Sequence, residues 1–132
     1  HNIMSYSYQR ESILRVLHES DKHYSIEEIH NKLLKKDLNI SLMTVYRNLK
    51  KLVNKGHVSP FHIDNVMHFC GNRKVHYHMH CVGCGNIEDV YNKKMNNILF
   101  DQVKSKNFSP FQNGVIVKGF CGDCKSEEIG YE

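Results

Sequence analysis

A chain of 132 residues with 40% hydrophobic content, no Pro/Ser-rich linker and no low-complexity run reads as globular, with room for one core or two small ones. Its formal charge of +4 is too small to identify a nucleic-acid partner by itself. No apolar run approaches the roughly 20 residues needed to cross a bilayer, and no basic-then-apolar segment opens the chain, so a soluble, unexported protein in the cytoplasm is expected.

In chain order, Ile13, Leu14 and Leu17 recur at helical spacing and predict a helix over Gln9–Leu17. A second helix is expected to start at Ser25-Ile26-Glu27-Glu28, where Ser25 and Glu28 have capping-box spacing ahead of Ile29 and Leu33. Leu42, Val45, Leu49, Leu52 and Val53 form the apolar face of a third, stopped at Lys55-Gly56. Short extended runs then follow at His57–Phe61 and Val66–Phe69, separated by the turn signal Asp64-Asn65, which predicts a hairpin. The polar segment Cys70–Lys74 is the expected module boundary. Beyond it the pattern predicts a strand from Val75, a Cys-x-x-Cys turn, a strand over Asn86–Tyr91, a helix over Lys93–Lys106 and a strand over Val115–Phe120.

The third helix carries Arg47, Lys50, Lys51 and Lys55 without an acidic residue. Arg47, Lys50 and Lys51, at i, i+3 and i+4, share the face opposite the apolar stripe, where with Tyr46 they can meet phosphates or base edges. A merely solvated basic face is the bland alternative. Two helices, a basic third helix and a hairpin make the order of a winged helix-turn-helix, whose third helix enters the major groove of double-stranded DNA. Residues 1–66 hold ten Lys/Arg against seven Asp/Glu, whereas residues 67–132 hold eight against seven, so the excess of base lies in this half.

Five cysteines, four of them in two Cys-x-x-Cys pairs, point to metal ligation in a reducing compartment more than to a disulfide framework. Cys81, Cys84, Cys121 and Cys124 supply the four thiolates of a closed tetrahedral zinc site. A redox pair is the competing reading, but the helix-start pattern of thioredoxin-like motifs is not visible in the sequence. In VHYHMHCVGC, strand alternation puts His76, His78 and His80 on one face and Cys81 on the other. One strand can therefore serve a structural zinc on one side and a second ion on the opposite side, with His76 and His78 as its ligands and His80 a bystander. An enzyme built on that metal would need a general base beside an open coordination position, and no such signature is present, so no catalytic residue is expected.

The motifs TVYRNLKKL, HYHMHCVGCG and the distal CGDC resemble the ferric uptake regulator family of metal-dependent bacterial transcription factors, from about Tyr8 to Cys124. The resemblance implies a homodimer bound to operator DNA. It implies an α+β architecture: a winged-helix DNA-binding domain (1–69), a linker (70–74) and a small α/β dimerisation domain (75–132) with a four-cysteine zinc site. It further implies a regulatory metal between the domains, Fe2+ or Mn2+ with Zn2+ as the alternative. Residue by residue, the family's regulatory ligands match His23, His68, His76, His78 and Asp89, with Cys70 competing with His68 because zinc-sensing relatives use cysteine near that point. An aspartate at position 89 resembles the peroxide-sensing branch, in which H2O2 oxidises a histidine ligand of bound Fe2+. Peroxide sensing is therefore the leading expectation, with His23 and His76 as the oxidisable residues, and iron-uptake or zinc-uptake control the alternatives. His68 stands where the family usually has a carboxylate, and Val75 and Tyr77 occupy two positions of a further regulatory site. The chain is short ahead of Gln9, so its start is read as truncated or as carrying added residues such as His1-Asn2.

Overall fold

The computed structural model describes residues 5–19, 22–71, 74–111 and 114–128. His1 and Asn2, and Asn72 and Arg73 of the expected linker, lie outside these. The chain divides into two compact units, one up to residue 73 and one from residue 74.

In the first unit, α1 (Tyr6–His18) starts at Ser5, whose hydroxyl accepts from the Tyr8 N–H, and buries Ile13, Val16 and Leu17. After β1 (Tyr24–Ser25), α2 (Ile26–Lys35) opens with the expected capping box: Glu28 N–H donates to Ser25 Oγ at 3.3 Å, and Ser25 N–H to Glu28 Oε1 at 2.9 Å. Helix α3 (Leu42–Asn54), capped by Ser41, buries Val45, Leu49 and Leu52. It ends in a Schellman motif: Gly56, at φ 78°, donates its N–H to Val53, and His57 donates to Leu52. That wrap explains why β2 begins at Ser59 rather than His57. The chain is still satisfying α3 carbonyls until then. Strands β2 (Ser59–Ile63) and β3 (Val66–Cys70) form an antiparallel hairpin across Asp64 and Asn65, both left-handed at φ 51° and 68°, as the tightest hairpin turn requires. Cys70 pairs with Ser59 and so belongs to β3 instead of to a linker.

The sequence did not signal β1, a two-residue strand that pairs on the other edge of β3, Tyr24 with Phe69 and Ser25 with His68. The sheet order is β1-β3-β2. Ile13, Ile29, Leu33, Val45, Leu49, Val58 and Phe69 close one core between the three helices and this sheet. Each such side chain contributes about 1.5–3 kcal/mol. The unit is a winged helix.

The second unit is a three-stranded sheet with β4 (Tyr77–Cys81) in the centre, β5 (Ile87–Val90) antiparallel on one side and β6 (Ile116–Gly119) parallel on the other. The connection from β5 to β6 contains α4 (Lys93–Lys104), capped by Asn92. A last helix, α5 (Gly122–Glu128), follows β6, where the sequence reading had no element. Among the described residues of this unit the buried ones are His76, His78, His80, Cys81 and Asn96, and no large aliphatic side chain joins them. Met79, Met95, Ile98, Phe108, Phe111 and Val117 are all exposed.

Candidate metal centres

The parallel pairing of β4 with β6 sets Cys81 opposite Gly119, and Val82 N–H donates to Gly119 carbonyl at 2.9 Å. The two Cys-x-x-Cys turns are thereby brought side by side. The four sulfurs of Cys81, Cys84, Cys121 and Cys124 lie within 4.8 Å of one another, with Cys84 and Cys121 at 3.9 Å. Tetrahedral zinc with Zn–S bonds of about 2.3 Å requires sulfurs about 3.8 Å apart, so the set fits that ion. A Cβ at Gly83 would stand 2.9 Å from Cys124 Sγ, so a larger residue there would have to displace that sulfur from the set. The N–H groups of Cys121 and Cys84 point at Cys81 Sγ, at 3.3 and 3.5 Å, and lower its thiol from 9.0 to about 6. Cys124 is pushed up instead, first by the thiol of Cys121 and then by that of Cys81. Four thiols crowded together cannot all ionise without a cation. The distal pair does straddle the start of α5, the position typical of a redox pair, but four converging sulfurs are a zinc set and not a two-cysteine redox site.

On the other side of β4, His76 and His78 are fully buried, and their Nε2 atoms are 3.2 Å apart. Asp89, paired with His78 across β5, places Oδ1 at 3.7 Å from both. The other ring nitrogens are committed: His76 Nδ1 donates to Lys74 carbonyl at 2.7 Å and His78 Nδ1 to Val115 carbonyl at 3.2 Å. Carbonyls only accept, so both Nδ1 atoms carry hydrogen, and the two Nε2 atoms are turned toward one another and toward the same carboxylate oxygen. Two imidazole nitrogens and a carboxylate oxygen gathered in a buried place are a donor set that suits a divalent cation. His80 is buried beside them, with no hydrogen-bond partner for either ring nitrogen among the described residues.

In the first unit the register of β1 decides the donors. Tyr24 faces Phe69, which brings His23 beside Cys70, and a His23 ring nitrogen and Cys70 Sγ lie within 4.8 Å. His68 is opposite Ser25 instead. Its Nδ1 donates to Val66 carbonyl at 2.9 Å, and its ring stacks on Phe61, which also meets the His23 ring edge-on at 5.2 Å. The structure thus sets Cys70, and not His68, beside His23. On α3 of the same unit, Tyr46, Arg47, Lys50 and Lys51 are exposed, on the side away from Val45, Leu49 and Leu52.

Residues 2–117 match the family model described as "Ferric uptake regulator family". The chain is 31% identical over 120 residues to the peroxide-responsive repressor PerR of Staphylococcus epidermidis, covering 90% of this chain and 80% of that protein. It is 30% identical over 121 residues to the zinc uptake regulation protein of Mycobacterium tuberculosis, covering 89% and 92%. Among solved structures, the Helicobacter pylori ferric uptake regulator Fur superposes with a TM-score of 0.69 at 27% identity, covering 90% of this chain and 83% of that one.

Proposed function

Since the chain belongs to the ferric uptake regulator family, whose members are metal-dependent regulators and not enzymes, we propose that it is a homodimeric transcriptional repressor that binds operator DNA through α3 when a regulatory ion is held, and that this ion is zinc. The observation that carries the reading is the pair of half-sets. The first unit supplies His23 and Cys70, the second His76, His78 and Asp89. Divalent ions take four or more donors, so each half-set is incomplete alone and one ion shared by both would tie the geometry of the DNA-binding unit to metal supply. Typical couplings of this kind are about 1–3 kcal/mol, or about 5- to 150-fold in affinity.

Cys70 favours zinc over Fe2+ or Mn2+. A thiolate among imidazoles suits zinc, whereas Mn2+ prefers oxygen donors. The four cysteines around Cys81 would hold a second, structural zinc. The exposed apolar side chains of the second unit support a homodimer, because they form the kind of surface a second copy would cover.

The carboxylate of Asp89, equidistant from the two imidazoles, favours a second reading, in which Fe2+ or Mn2+ occupies the site and H2O2 oxidises a ligand. The test is anaerobic titration of protein carrying its structural zinc with Zn2+, Fe2+ and Mn2+, followed by DNA-binding anisotropy and intact mass after H2O2. Zinc-activated binding that Cys70→Ser weakens supports zinc sensing. Binding activated by Fe2+ and abolished by peroxide, with one oxygen gained on a His23 or His76 peptide, supports peroxide sensing. Metal-independent binding, or none, would remove the regulator reading.

A further inference from the structure

The first turn of α1 stands against α3 across a groove of about 750 Å3. Its floor is polar and fixed: Asn48 Nδ2 donates to Gln9 Oε1 at 3.0 Å and to Thr44 carbonyl at 2.9 Å, with Gln9 and Asn48 both buried. A satisfied buried pair of this kind holds the two helices in one registry. Arg47, Lys50 and Lys51 line the groove, and none of its lining residues is acidic. At its edge Lys51 Nζ lies 5.3 Å from the centre of the Tyr6 ring, and that ring is 66% exposed. Tyr6 therefore does little for the core. What it does touch is a cation.

We propose that Tyr6, in the first turn of α1, is a positioning residue that holds the Lys51 ammonium to meet a backbone phosphate while Arg47 and Lys50 face the same duplex. This deepens the repressor reading and rests on it. Charge selects the occupant: three cations without a carboxylate attract a polyanion. Continuity selects a duplex, since Arg47 and Lys50 belong both to the groove and to the exposed face of α3, so a helix lying on that face runs past Lys51. Lysine is a flexible point charge, and an aromatic face that already holds it reduces the freedom lost when it docks. Tyr6 is thus a positioning residue acting through Lys51.

The experiment uses the metal-loaded full chain and a duplex that it selects from a random-sequence library, read by fluorescence anisotropy across salt concentrations. Lys51→Gln is expected to lower the slope of log affinity against log salt by about 1 per protomer. Tyr6→Ala is expected to weaken binding about two- to fivefold, with Tyr6→Phe indistinguishable from the unmodified chain. Melting curves check the fold, and should Tyr6→Ala fail to fold, Tyr6→Leu, which keeps bulk but removes the ring face, takes its place. If Arg47→Ala weakens binding while Lys51→Gln and Tyr6→Ala change neither affinity nor slope, the groove is overturned and the repressor reading stands. Equal losses from Tyr6→Phe and Tyr6→Ala would overturn the ring's role. A chain that selects no duplex overturns both proposals.

Discussion

Removing metal from the cysteine cluster is expected to unfold the second unit while leaving the first intact. The first unit closes its core on Ile13, Ile29, Leu33, Val45, Leu49 and other fully enclosed side chains, each contributing about 1.5–3 kcal/mol. The second buries no comparable side chain among its described residues. A structural zinc contributes an apparent 10–16 kcal/mol, about as much as the whole stability of a typical domain at about 5–15 kcal/mol. No buried aliphatic side chain among the described residues of that unit offsets its loss, and Cys81–Cys124 convergence is what ties the β4–β6 ladder to α5. Hydrogen exchange read by mass spectrometry, before and after chelation under reducing conditions, makes the comparison. Amides of 77–81, 87–90 and 116–119 should lose protection, whereas those of 13–17 and 45–52 should keep it. Protection retained in β4 and β6 by zinc-free protein would refute the argument.

Other outcomes follow from single contacts. Leu33→Ala, at a fully buried position of α2, should cost about 2–5 kcal/mol of first-unit stability by denaturant titration, with no change in zinc content. Ser25→Ala removes one arm of the capping box and should cost about 1 kcal/mol in the same assay. Because two N–H donors lower the Cys81 thiol to about 6, its thiolate is present above that pH and lost as the pH falls through it. Because zinc needs all four thiols deprotonated, zinc content after dialysis should fall as the pH is lowered from about 8 to about 5, and content unchanged at about pH 5 would contradict a thiolate site. Asp89→Asn keeps the shape of the second half-set but removes its charge, so regulatory metal affinity should fall at least about tenfold while the structural zinc stays.

Much of this architecture is written locally. The helical period of Ile13–Leu17 and Leu42–Val53, the Ser25/Glu28 box, the Asp64-Asn65 turn and the alternation of His76, His78 and Cys81 each depend on neighbours a few residues away, and all appear in the structure as the sequence predicts. Such features follow from backbone sterics and from the period of a helix or a strand, which adjacent residues express directly. β1 escaped notice because two residues carry no period, and α5 because its seven residues, Gly-Asp-Cys-Lys-Ser-Glu-Glu, have no apolar stripe. Whether Cys70 or His68 stands beside His23 was left open by the sequence. Both share a strand face, and only the pairing of Tyr24 with Phe69, across some 45 positions of chain, brings His23 to one and not the other. The amino-acid sequence by itself determined the elements and the kinds of donor atom. Tertiary structure decided which donors meet, because strand register is a property of two distant segments together and neither segment encodes it alone.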